Sequence, residues 1–218
     1  MLLRNFACGL AVALQLSAPA VLPPQPLPRS VTEVRPPLQK AYLTTALLPE
    51  YKNEQIPKAL GGPAIKGVPD GVRYIIDPAE RESYRLRFGS DGFIYDASGN
   101  KFDTTKAVRI DEHGVKSITK LAMFVMDERG NFYASNFQQV GIFHHSSFVG
   151  GEDVAASGEI EVIGGKLQFI NDRSGHYRCS REFTEQAIDR LEQLLPRGTI
   201  EALRKKDRIR IGLFAEPH

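Results

Sequence analysis

Cysteine is scarce in this chain: Cys8 and Cys179 are the only two among 218 residues, and tryptophan is absent. A fold with one thiol in its body has no intramolecular disulfide and must be held by its core. Charge of one sign is also lacking. A net charge of +2, with 25% charged residues, gives no general electrostatic reason to expect nucleic acid or an acidic membrane surface as partner. The basic run "RKKDRIR", residues 204 to 210, reads as a solvated face. Two chemical signatures are missing as well. No Gly-x-Ser-x-Gly elbow appears near the serines of "HSSFVGG", which disfavours a Ser-His-acid hydrolase. The glycines of "FVGGEDV" lead toward a strand rather than opening a helix, which disfavours a nucleotide-phosphate loop.

The N-terminus carries a short basic segment "MLLRN", an apolar run "FACGLAVALQL" and the small-x-small ending Ala18-Pro19-Ala20. This pattern reads as a cleaved export signal over residues 1–20. The apolar run is too short to span about 30 Å of hydrocarbon, so no membrane anchor is expected after cleavage, and the destination is secreted or periplasmic. Residues 21–70 read as a proline-rich linker and irregular extension. Six prolines fall between residues 21 and 37, each fixing φ and removing a donor. A short helix is expected around 39 to 48.

Residues 71–218 read as the folded domain. "VRYII" and "SYRLRF" have strand character. Glycine-bearing turns follow at "GSDG", "DASGN", "ERGN" and "IGG", each placed to close a hairpin. The period then changes: Phe183, Ala187, Ile188, Leu191, Leu194 and Leu195 mark a helix over 182 to 195, with Ser180 at its cap and Pro196 and Gly198 at its stop. A short helix "TIEALRKK" and a last strand "RIRIGLF" complete the chain. The fold class expected is α+β: a curved antiparallel sheet of hairpins with a C-terminal helix packed on one side.

Polar chemistry concentrates in "GIFHHSSFVGG", residues 141 to 151, and "RSGHYRC", residues 173 to 179. Taken as a strand, residues 142 to 148 spend four of seven positions on His and Ser, and neither face is clean. An unpaired buried polar group costs about 1–3 kcal/mol, so the pairs are either satisfied by neighbours or line a cleft. The cleft version makes His145, Glu159, His176 and Tyr177 candidate catalytic residues, with His144, Ser146, Ser147 and Arg178 binding substrate. The other version is a polar network that locks a sheet corner. Adjacent His144 and His145 point opposite ways from a regular strand, which disfavours a shared metal ion. No metal ligand is assigned, and the cofactor is left open.

The stretch from about residue 91 to 195, with "FHHSSF" and "SGHYR" some thirty residues apart, resembles the C-terminal domain of plant IQ-motif-containing calmodulin-binding proteins. It also resembles toxin-like domains of bacterial RHS and other polymorphic secreted proteins, with "YDASGN" similar to their repeat motif. In the plant family calmodulin binding is attributed to a separate I-Q-x-x-x-R helix. This chain shows no such motif, so calmodulin binding is not carried over. Where this chain has Glu159 plant members tend to carry Arg, and Cys179 stands where the pattern usually has Pro. The resemblance to toxin-like domains implies an exported effector acting on a host or competitor protein. Its concrete version is ADP-ribosyltransferase-like, with His145 and Ser146 holding NAD, Tyr177 stacking on nicotinamide and Glu159 orienting the ribose. The alternatives are a non-catalytic protein-binding module, or a metal-independent RNase with Glu159 as base, His176 as acid and Arg173 or Arg178 on the phosphate.

Overall fold

In "LAMFVMD" apolar side chains occupy both parities of the strand, so burial on one face alone would leave half of them in water. A computed structural model describes residues 24–38, 40–62 and 71–213, and in it every residue of this strand, β5 (Ala122–Met126), is buried. In chain order the other elements begin with α1 (Pro78–Glu82), β1 (Arg87–Phe88), β2 (Ile94–Tyr95), β3 (Val108–Ile110) and β4 (Lys116–Ile118). After β5 come β6 (Phe132–Ser135), β7 (Phe137–Gln139), β8 (Ala156–Ile163), β9 (Lys166–Asn171), α2 (Arg181–Leu194), α3 (Thr199–Lys205) and β10 (Ile209–Arg210). The main sheet runs β10-β9-β8-β5-β6. Its pairs are antiparallel except for the edge pair β9–β10, which is parallel.

The two faces of β5 feed two cores. Phe124 and Met126 join Phe132, Ile160, Val162 and Ile170 under the apolar stripe Ala187, Ile188, Leu191 and Leu194 of α2. Met123 and Val125 face the other way, with Tyr133, toward Leu47, Ile75, Phe143, Phe148, Val149, Val154 and Tyr177. The expected α+β class, hairpin sheet and covering C-terminal helix are present. The helix begins at Arg181 with Ser180 at the N-cap position, although the Ser180 hydroxyl makes no capping bond. The second face is covered without regular structure, by loops and short 3-10 turns.

Several local expectations differ from the structure. Residues 40–48 form no helix: Tyr42 N–H bonds Glu128 O, and Thr45 bridges Val154 in both directions. "VRYII" joins no ladder, because Val72, Arg73 and Ile75 donate to Glu54, Ile142 and Ser147 in turn. Residues 24–38 lie along the domain, with Gln25 N–H on Ala97 O and Val34 N–H on Phe88 O. A separate three-stranded sheet, β4-β3-β7, pairs β3 antiparallel with β4 and parallel with β7. Among the described residues no helix is long and apolar enough to cross a membrane.

Gly158 on β8 marks the tightest approach in the sheet. A Cβ there would lie 1.9 Å from the carbonyl oxygen of Asn171 on β9, a backbone atom that cannot swing aside. Gly158→Ala is therefore expected to force β8 and β9 apart, at about 3 kcal/mol, the upper end for overpacking. In a chain of this size that corresponds to a fall in Tm of roughly 6–12 °C, read by calorimetry.

Candidate functional site

The segment expected as a strand over 142 to 148 is a turn. Residues His145–Val149 form a 3-10 helix, entered from an extended His144 and closed by Gly150 at φ 64. Gly151 follows at φ 80, and a Cβ on it would lie 2.6 Å from the Tyr74 ring. Left-handed backbone favours glycine at both places, and the close ring adds a second reason at Gly151. The turn tucks His144, His145, Ser146 and Ser147 inside; their exposures are 6%, 3%, 0% and 0%.

Each polar side chain in the turn has at least one hydrogen-bond partner. His144 N–H donates to Ser147 Oγ at 2.9 Å, and Gly141 N–H donates to His144 Nε2 at 2.8 Å. A ring nitrogen that accepts is unprotonated, so His144 is neutral with its proton on Nδ1. His145 Nε2 lies 2.9 Å from Gly158 O on β8; the carbonyl accepts, so Nε2 carries the proton. Ser146 Oγ donates to Glu54 Oε1. Tyr74 OH donates to the same oxygen at 3.2 Å, and His176 Nε2 meets Glu54 Oε2 at 3.0 Å. Three donors thus converge on the two oxygens of one buried acid. His176 is stacked between two rings, Tyr51 at 4.1 Å and His144 at 4.4 Å.

Glu54, 2% exposed, was not among the residues expected at the site. "PEYKNEQIP" places it between charged and polar neighbours on an irregular stretch, with no periodicity to mark it as internal. The only signal was indirect: four buried His and Ser side chains require acceptors, and the two motifs supply too few. Glu159, the acid expected here, lies elsewhere. It is half-buried on β8, where its carboxylate accepts from Asn171 Nδ2 at 3.1 Å. Tyr177 is buried and donates to Glu152 O at 2.7 Å, and burial raises its phenol far above the ordinary value. Arg178 is exposed, with φ 42. Cys179 is buried against Ser157, and burial pushes its thiol up. His144, Ser146, Ser147 and His176 are therefore brought together around Glu54, with His145 alongside. No hydrogen bond links Glu159, Tyr177 or Arg178 to that cluster among the described residues. Nor does a group of three or more His, Cys, Asp or Glu there converge as metal ligands.

The sequence profile of the family described as "IQ motif-containing protein middle domain" matches residues 80–184, just under half of the chain. The IQ domain-containing protein IQM3 of Arabidopsis thaliana is 34% identical over 109 residues, which is 50% of this chain and 22% of that protein. IQM1 and IQM2 of the same plant are 26% and 28% identical over 56% and 55% of this chain, and over 22% and 18% of their own lengths. The chain thus spans about a fifth of the relatives it matches. No solved structure matches. The resemblance to IQ-motif-containing proteins stands, and the matched stretch contains both motifs but not Glu54, Tyr51 or Tyr74.

These relatives overturn other expectations. The RHS and toxin-like resemblance has no support, and the exported bacterial effector reading falls with it. So do its toxin, effector and ADP-ribosyltransferase-like versions, because the proteins matched are IQ domain-containing proteins of a plant. The secreted or periplasmic destination is corrected on the same ground; residues 1–20, on which the signal reading rested, lie outside the described residues. Geometry agrees for the transferase version: His145 Nε2 and Ser146 Oγ are buried and already bonded to Gly158 O and Glu54. For the RNase alternative, Glu159 and His176 are held by different partners, Asn171 and Glu54.

Burial holds both imidazoles of the turn neutral. His144 is lowered to about 2, by burial first and then by His176, His145 and Arg109. His145 is lowered to about 4 by burial and by His176, against the opposing pull of the Gly158 carbonyl. An unfolded histidine titrates near about 6.5, so below that pH the unfolded chain takes up protons that the native one refuses. The stability these groups contribute is complete above about pH 6.5 and is lost as pH falls toward 4 for His145 and toward 2 for His144. Each adds a slope of up to about 1.4 kcal/mol per pH unit across its window. Urea denaturation of the native chain and of His144→Asn between about pH 6 and pH 4 should show the variant losing roughly one proton's worth of that slope. Equal slopes would mean that His144 titrates normally in the fold.

Proposed function

We propose that this chain is a non-catalytic protein-binding module in which the "FHHSSF" and "SGHYR" motifs build the scaffold rather than a reaction centre. One observation carries the reading: His144, His145, Ser146 and Ser147 are buried, and each spends a side-chain polar atom on a bond within the protein, to Gly141, Gly158, Glu54 or one another. The unit that does this lies within residues 71–213 together with the preceding segment that supplies Tyr51 and Glu54.

Apolar side chains left in water support a protein partner. Ile118 is 67% exposed and Phe137 40% exposed. Register places both beside Val108, in one row across the small sheet β4-β3-β7. Strand β4 is exposed along its length and occupies an edge, the geometry that accepts an added strand. Calmodulin is the first protein to test, because the family that the motifs resemble binds it. The lack of an I-Q-x-x-x-R pattern here removes one route to calmodulin and does not bar a protein partner from this sheet.

Ile118→Asp and His145→Asn separate a surface from a scaffold. Ile118→Asp is expected to leave Tm within about 2 °C of the native chain, since exposed changes cost within about 0.5 kcal/mol. It is also expected to abolish partner binding, measured by titration with calmodulin or a co-purified protein. His145→Asn is expected to lower Tm through loss of the Gly158 bond while the folded fraction still binds. A His145 or His176 variant with native Tm that lost a measurable turnover would overturn the non-catalytic reading.

A further inference from the structure

Arg190 on α2 is 6% exposed, yet no carboxylate lies within ion-pair distance of it among the described residues. Its guanidinium meets neutral acceptors only: Gly130 O at 3.4 Å, Pro36 O at 3.3 and 3.4 Å, and Gln193 Oε1 at 2.9 Å. Three of those four contacts are long for hydrogen bonds. A buried charge is costly unless an opposite charge accompanies it, so Arg190 is poorly compensated where it stands.

The same side chain lines a cavity of about 280 Å³, with Arg35, Arg85 and Arg129 also in its wall and Glu33 as its one carboxylate. Four guanidiniums against Glu33, and against Glu82 that pairs with Arg85 from outside the wall, leave a formal excess of two positive charges. Glu33 is already committed, to Arg35 at 2.8 Å and Arg85 at 3.2 Å. Arg85 also meets Glu82 at 3.3 Å, but its buried Nε has no partner. Arg129 is exposed, and its guanidinium makes no hydrogen bond or ion pair among the described residues. Leu86, Phe88, Phe132 and Leu194 complete an apolar floor, beside which a charge interaction is stronger than in open water.

We propose that this cavity is a binding site for a phosphoryl group. A phosphate monoester carries about −1.5 to −2 charge near neutral pH, close to the surplus, and its oxygens match the planar two-pronged donors of arginine. The group arrives either as a free phosphate or on a phosphorylated side chain; the chemistry recognised is the same. This assignment is independent of the role given to the small sheet.

The full chain is titrated at constant ionic strength with inorganic phosphate, with a phosphoserine peptide and its unphosphorylated form, and with acetate. Phosphate is expected to raise Tm in a saturable way, with acetate at least ten-fold weaker. Arg190→Gln is expected to weaken phosphate ten-fold or more, and Arg129→Gln about five-fold. Because the Arg129 side chain is exposed, its variant keeps the test alive if Arg190→Gln fails to fold. A phosphopeptide that binds more tightly than phosphate, while its unphosphorylated form does not bind, places the group on a protein; weaker binding places it on a small molecule. A phosphate effect equal to that of acetate, or one unchanged in Arg129→Gln, overturns the site.

Discussion

A single buried carboxylate is shared by four parts of the chain that are distant in sequence. Glu54 accepts from Ser146, Tyr74 and His176, so the segment before residue 62, the segment at 72–75, the 3-10 turn and the "SGHYR" corner share one acceptor. The energetic asymmetry of buried polar groups makes such a hub decisive. A satisfied hydrogen bond is worth about 1 kcal/mol net, while an orphaned buried donor costs about 1–3 kcal/mol. Removing the acid would orphan three donors at once. The stack of Tyr51, His176 and His144 then orients the imidazole that the acid requires.

The hub explains why the second face of the sheet needs no helix. The loops there bring their own hydrogen-bond partners: Ile75 N–H on Ser147 O, Leu48 N–H on His176 O, Thr45 on Val154. With backbone groups so satisfied, irregular chain can cover Met123 and Val125 as completely as α2 covers Phe124 and Met126. The motif side chains are buried beneath this cover, while Ile118 and Phe137 of the small sheet stand in water.

Local chemistry made part of this fold legible. Gly164 and Gly165, both at positive φ, close the β8–β9 hairpin at the place the "IGG" turn indicated. The 3.6-residue spacing from Phe183 to Leu194 found α2 within one residue. Other parts depend on contacts distant in sequence. Strands β3 and β7 pair in parallel across almost thirty residues, and three residues each give no periodic signal. Residues 142 to 148 carry no clean alternation, Gly150 and Gly151 at positive φ turn the chain, and nothing in "FHHSSF" distinguishes a satisfied network from a cleft. Histidine, serine and tyrosine are the residues of both. The acceptor that the network uses, Glu54, lies about ninety residues before the turn.

The coupling between Glu54 and His176 is the most direct measurement of that hub. In a double-mutant cycle on Glu54→Gln and His176→Gln, with stability measured by urea denaturation near neutral pH, coupling between contacting partners in one network is expected at about 1–3 kcal/mol. Losses that simply add, within about 0.5 kcal/mol, would mean that the carboxylate and the imidazole are neighbours only, and that the two motifs are held together by something else.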